Sequence, residues 1–240
     1  MYSKKSFIYA NCLFLLVGLG FLVSSAIFKI EIPHLGMSAN NHYIEAMKQM
    51  HTTVGPQGKA VQVMEHLEVA ANQGHVGAQK QLAKMYQYGI GIQINKSVAQ
   101  TWWKAAAAAG DLQAQFEVGK SLLQITDEEE QLKALELLKK AAIKNHPEAQ
   151  LLLAKLYMEN TAWVKHDMDL AIYWLQTAAF QGNGEAQFML GHAYQTGHGV
   201  KKDLQQAVIF YEQAKNSGQA SAVEVLKELS LNVKNVSLGS

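Results

Sequence analysis

The chain has 240 residues, one cysteine and a formal net charge of +1. That length is ample for a buried core, and a single cysteine leaves no disulfide framework to hold one. All 21 basic residues are lysines; without arginine's planar fork, and with almost no net charge, nucleic-acid binding is excluded as the leading function.

In chain order, Lys4 and Lys5 precede residues 7–28, which carry no charge and are rich in Leu, Val and Phe. A secretory signal usually has an apolar core of about 7–15 residues, whereas a spanning helix needs about 20. Length therefore favours an uncleaved signal anchor over residues 1–28, with the rest of the chain across the membrane from Lys4 and Lys5. The small residues Ser24, Ser25 and Ala26 leave open a signal peptide cleaved after Ala26. Either way the chain is expected to be exported. Cys12 lies inside the apolar run rather than after it, so a lipid anchor is not expected.

Residues 29–41 contain Pro33 and Gly36 and show no sustained period, which reads as a linker. Residues 42–77 form a degenerate first helical hairpin, broken by Gly55, Pro56 and Gly58. From residue 78 a repeat sets in. The pair Ala-Gln recurs at Ala78-Gln79, Ala114-Gln115, Ala149-Gln150 and Ala186-Gln187, and Ala222 ends the series. The steps between these alanines are 36, 35, 37 and 36 residues. A second alanine series, Ala99, Ala134, Ala171 and Ala207, marks a second helix in each unit, always 15 residues before the next Ala-Gln alanine. Between the two helices of a unit the spacing varies, so that loop faces solvent while the turn between units is packed. Gly74, Gly110, Gly182 and Gly218 share one slot with Asn145, as a left-handed helix end requires. Residues 222–240 read as a polar capping helix followed by a frayed tail.

The best copy begins at Ala186 and runs through Leu190, Gly191, Tyr194, Gly197, Gly199 and Val200 to Ala207, Phe210, Tyr211, Ala214 and Gly218. This resembles the SEL-1-like repeat, a subclass of the tetratricopeptide-like repeats. Its pattern is roughly A-x-x-x-L-G-x-x-Y-x-x-G-x-G-V, then A-x-x-W-Y-x-x-A-A-x-x-G. The copy from Ala78 keeps Tyr86, Gly89, Gly91, Trp102 and Trp103, with Ala83 for the first glycine. The third copy keeps Leu153, Tyr157, Trp174, Ala178 and Ala179 but has lost its loop glycines; the second has Leu122 for the tyrosine and the acidic loop from Asp127 to Glu130. The resemblance implies an all-α, right-handed α/α superhelix with four repeats over residues 78–221. It implies no common reaction. One cysteine-paired branch of that family has been linked to β-lactamase-like hydrolysis; this chain lacks the cysteine pairs, so a hydrolase is disfavoured.

No residue pattern of catalysis or metal binding replaces that reading. The nine histidines form neither H-E-x-x-H nor a paired Cys/His set, and His192 with His198 falls short of the three or four ligands that a site needs. His166-Asp167 sits where a helix N-cap belongs, and residues 127–130 lack the alternation and glycine of a calcium loop. No cofactor or metal is expected. Trp102 and Trp174 share a column with His66, Leu137 and Phe210 that reads as core or inter-repeat packing. Trp163 stands outside the repeat pattern in the third loop and is the candidate exposed anchor.

The candidate partner face lies on the first helix of each unit. Its third slot holds Lys80, Phe116, Leu151 and Phe188; its seventh holds Lys84, Lys120, Lys155 and His192. These slots are i,i+4 neighbours on one helix face. The resemblance places that helix on the concave side of the solenoid, where partners bind. Extended or helical peptide segments of protein partners are the ligand class such a stripe suits. The expected function is a non-catalytic scaffold, anchored in the inner membrane with a periplasmic repeat domain, that holds partners of an envelope or secretion complex. The alternative is a periplasmic or secreted form, cleaved after Ala26, that binds host or cell-wall ligands.

Overall fold

The computed structural model describes residues 37–52, 58–159, 161 and 163–238. The apolar segment 7–28, the cleavage point after Ala26 and most of the 29–41 linker lie outside these residues. Two units divide the chain, Met1–Met37 and Ser38–Ser240, and the second holds every helix described. Those helices are α1 (Ala39–Thr52), α2 (Gly58–Asn72), α3 (Val76–Tyr88), α4 (Lys96–Ala108), α5 (Leu112–Leu122), α6 (Glu128–Ile143), α7 (Pro147–Met158), α8 (Met168–Phe180), α9 (Gly184–Thr196), α10 (Leu204–Asn216) and α11 (Ser221–Leu238). Each packs chiefly on its sequence neighbours, as a solenoid of antiparallel hairpins requires. The last helix runs on to Leu238, through residues expected to fray.

The turn between units is built the same way five times. Gly74, Gly110, Asn145, Gly182 and Gly218 all adopt positive φ, with Asn145 at 65°. At each, two reversed backbone bonds close the preceding helix, as in Gly182 N–H to the Ala179 carbonyl and Asn183 N–H to the Ala178 carbonyl. In the first four turns the next residue then caps the following helix: the side chains of His75, Asp111, His146 and Asn183 accept from the N–H groups of Ala78, Ala114, Ala149 and Ala186. One helix end and one helix start are thus satisfied within a few residues, so the turn tolerates no insertion. A Cβ at Gly182 meets nothing within 4 Å, so the cost of Gly182→Val is backbone strain alone. We expect about 1–2 kcal/mol for it, against under about 1 kcal/mol for Asn145→Gly. Equal denaturation midpoints for the two variants are the result that contradicts this turn geometry.

The glutamine of three of the four Ala-Gln pairs completes the joint. Gln79, Gln150 and Gln187 are buried and donate Nε2–H to the carbonyls of Ala71, Ala142 and Ala179, near the end of the preceding helix. Their Oε1 atoms reach forward one repeat where a donor exists. Gln150 accepts from Gln181 Nε2 at 2.6 Å, and Gln187 from Ser217 Oγ at 2.8 Å. The same slot holds Ala109 and Lys144 in the two earlier repeats, and there the Oε1 atoms of Gln79 and Gln115 are buried without a partner. A buried amide oxygen without a donor is destabilising, so these two joints are weaker than the two that follow.

His146 caps α7 through Nδ1, while its Nε2 lies 3.2 Å from Gln113 Oε1. The neutral ring with its proton on Nε2 satisfies both contacts. Burial pushes its pKa below the usual 6.5, against the opposing pull of Glu148, Asp111 and Glu117. Below that usual value the unfolded chain therefore binds more protons here than the folded chain. The His146 contribution is complete above about pH 6.5 and is lost as pH falls toward the folded-state value. His146→Asn keeps the capping oxygen that Asn183 supplies in the next repeat. It is expected to lose less stability between about pH 7.5 and about pH 5 than the parent, measured by denaturation at each pH.

Within each hairpin a small residue on the first helix faces a large one on the second. Gly119 lies against Leu138 and Gly191 against Tyr211, while Ala83 shares a core cluster with Trp103 and Ala154 with Leu175. Trp103 is 3% exposed and donates Nε1–H to Gln87 Oε1 at 2.7 Å; Tyr211 is fully buried and donates to Gln195 Oε1 at 2.6 Å. Trp174 is buried as its column predicts. Trp102 is only half-buried and touches two successive core clusters, so it packs between repeats.

Candidate functional site

The faces of α3, α5, α7 and α9 carry the predicted partner column, and its members differ in how free they are. Lys80 is paired with Asp111, the cap of the next first helix, at 2.9 Å. Lys155 bridges to Glu185 in the first turn of α9 at 2.6 Å. Lys120 pairs with Glu117 on its own helix at 2.9 Å and lies 5.1 Å from the Phe116 ring centroid. Lys84 and His192 are exposed. Of the apolar slot, Leu151 is buried, Phe116 stacks on His146 and Phe188 tilts against Tyr211. The structure thus strings these residues along one helix layer, but Lys80, Phe116 and Lys155 contact the neighbouring repeat. An interrepeat ion pair at partly exposed sites contributes modestly, about 0–1 kcal/mol. The sequence pattern alone could not show this, because Asp111 and Glu185 each lie 30 or 31 residues from their lysines.

Trp163 does not stand free. It is half-buried and packs against the core cluster built from α6 to α9. The loop holding it is fixed by Thr161, whose Oγ1 accepts from Val164 N–H at 3.0 Å, and Val164 is buried. Three loops within hairpins close with one shared bond: the N-cap N–H of Asn95, Asp167 or Asp203 donates to the carbonyl of Tyr86, Tyr157 or Tyr194. Asp127 and Asp167 are helix N-caps, so the acidic run and the His166-Asp167 pair serve helix starts.

The edge formed by the turns between units escaped the sequence reading. Phe180, at the end of α8, is 94% exposed, and Ile143, in the same slot of α6, is 71% exposed. On the same edge an open cleft of about 350 Å³ lies between α4, α5 and α6, with Lys104 and Lys140 among its lining residues. Only three-dimensional packing identifies these apolar residues, since the repeat pattern treats both positions as helix ends. Among the described residues no group of three or more His, Cys, Asp or Glu could hold a metal ion, and no helix is long and apolar enough to cross a membrane.

The Sel1 repeat model matches residues 76–111, 112–146, 147–183 and 184–219, units that begin where α3, α5, α7 and α9 begin. The chain is 28% identical over 157 residues to an uncharacterized protein of Neisseria meningitidis, covering 65% of this chain and 32% of that protein. It is 33% identical over 86 residues to chitin synthase regulatory factor 4 of Schizosaccharomyces pombe, covering 36% of this chain and 13% of that protein. The chain therefore spans a third or less of the length of these relatives. A crystal structure of a protective antigen from uropathogenic Escherichia coli, displaying an SLR fold, superposes with a TM-score of 0.71 at 28% identity, over 81% of this chain and 42% of that one. A Sel1 repeat protein from Oxalobacter formigenes gives 0.70 at 23% identity, over 81% and 79% of the two chains. With four contiguous matched units, each one hairpin of the solenoid and each joined to the next by the same left-handed turn, the chain belongs to the Sel1 repeat family.

Proposed function

We propose that the protein is a non-catalytic scaffold that binds other proteins along the layer of first helices, with Lys84, Phe116, Lys120, Lys155, Phe188 and His192 on the contact face. The observation that carries this reading is how the buried polar groups are used. Gln79, Gln150, Gln187 and His146 cap or join helices along the array instead of converging on one point. What remains for recognition is a long, shallow face repeated at the solenoid period, which suits an extended or helical peptide. Residues 7–28 hold the array at the inner membrane as an uncleaved anchor, with the repeats on the periplasmic side.

The test places a photo-crosslinking amino acid at Lys84 or His192, and at Gln176 on α8 as a control, in the full chain in its native host. Crosslinks to a discrete protein from the first two positions and not from the third are the expected result. A pattern that is equal at all three positions, or empty at all three, ends the reading. The export claim has its own check: a phosphatase fused after Ser240 should be active, and an inactive fusion with an active cytoplasmic reporter contradicts it.

A further inference from the structure

We propose that the cleft between α4, α5 and α6 docks a protein segment that presents an aspartate or glutamate next to an apolar residue. This rests on the scaffold reading but uses the edge made by the turns between units, not the face of the first helices. The cleft holds about 350 Å³, and its lining includes Lys104, Ala107, Gln115, Val118, Leu137 and Lys140. Gln115 is 7% exposed, and its Oε1 has no hydrogen-bond partner. In the two following joints the equivalent oxygen is occupied by Gln181 or Ser217, but here the slot belongs to Lys144, whose side chain is exposed.

The chemistry of the lining is two-sided. Lys104 seeks an anion, Lys140 holds only the exposed Glu136 and can share a second carboxylate, and Gln115 Oε1 seeks a donor. A fully ionised inorganic anion supplies acceptors only. An acidic residue within a peptide supplies both, a carboxylate for Lys104 and Lys140 and its own backbone N–H for Gln115. The floor of Ala107, Val118 and Leu137 receives the methylenes between them. Ile143 stands one turn beyond Lys140 on α6, and Phe180 occupies the same slot one repeat later. At 71% and 94% exposure they offer an apolar partner residue its contact. Charge also favours this edge over the face of the first helices. Lys104, Lys140 and Lys144 meet one carboxylate here, Glu136 bonded to Lys140, whereas on that face Lys80, Lys120 and Lys155 each have a carboxylate partner and Lys84 alone of the four column lysines is left exposed without one.

The probe is the blocked peptide acetyl-Ser-Leu-Glu-Leu-Ser-amide, titrated against the full chain in mild detergent. Affinity is read by calorimetry, and the site is located by protection of individual lysines from acylation, read by mass spectrometry. Protection of Lys104 and Lys140, but not of Lys84, is expected. Changing the peptide's Glu to Gln, or methylating the Glu backbone nitrogen, should each weaken binding by about fivefold or more, the value of one hydrogen bond or ion pair in such a site. Lys104→Gln with Lys140→Gln should abolish the difference between the Glu and Gln peptides without changing the denaturation midpoint. The methylated peptide tests the Gln115 bond even where Gln115→Leu fails to fold. Equal affinity for the parent and methylated peptides overturns the proposal. So does the absence of protection, or protection by phosphatidylglycerol vesicles but not by the peptide. Loss of the Lys84 and His192 crosslinks with lysine protection intact removes the first-helix face and leaves this site standing.

Discussion

Trp103→Ala should destabilise the protein by about 3–5 kcal/mol, the range for removing a large aromatic side chain from a closed core. Trp103 is 3% exposed, sits in the cluster with Ala83, Ala106, Val118 and Leu122, and donates its indole N–H to Gln87. Alanine leaves both a cavity and an amide oxygen without its donor, and the two costs add. Trp102→Ala removes an adjacent indole that is only half-buried, so its cost should be clearly smaller. Denaturant midpoints followed by helical circular dichroism measure both. A Trp102 variant as damaged as the Trp103 variant contradicts the assignment of the two side chains to different layers.

Gly191→Ala should also be damaging, although it adds only one methyl group. A Cβ at this position would lie 2.7 Å from Tyr211 Cδ1 and 2.8 Å from Cε1. The ring cannot withdraw, because Tyr211 is fully buried and its hydroxyl is held by Gln195. Overpacking of this kind costs about 1–3 kcal/mol. The third repeat shows the remedy, since Ala154 and Leu175 occupy the same two slots within one core cluster. Gly191→Ala combined with Tyr211→Leu should therefore be less destabilising than the sum of the single changes, by about 0.5–3 kcal/mol in a double-mutant cycle. Strict additivity is the outcome that rules out compensation between the two slots.

These two pairs also show what a linear reading can and cannot reach. The period of the Ala-Gln pairs and the shared slot of Gly182 and Asn145 lay open in the sequence, because both follow from local backbone geometry. The column containing Trp102 and Trp174 was equally visible, but the depth of Trp102 was not. Burial there depends on which of two adjacent tryptophans points at its own hairpin. The candidate site was less legible still. Lys80 and Lys155 look like free cations in a stripe, and only folding brings Asp111 and Glu185 onto them. Trp163 looked exposed because its loop departs from the repeat, yet that departure lets it fold back on the core. The role of the glutamine in each Ala-Gln pair was hidden for the same reason, since its acceptor lies eight residues back and its donor 30 or 31 residues ahead.

The single bond that closes the loops within hairpins has a consequence for how such a chain can change. Asn95, Asp167 and Asp203 anchor three loops of different sequence to the carbonyls of Tyr86, Tyr157 and Tyr194. Between anchor and carbonyl a loop can change in length as long as the two ends meet, because lengthening it carries only a slowly growing entropy cost. The opposite edge offers no such freedom, since the bonds from Gln181, Gly182 and Asn183 end one helix and those from Ala186 and Gln187 to Asn183 start the next. The molecule therefore has one conservative border and one permissive border. New specificities can be written along the permissive border without rewriting the frame that carries them.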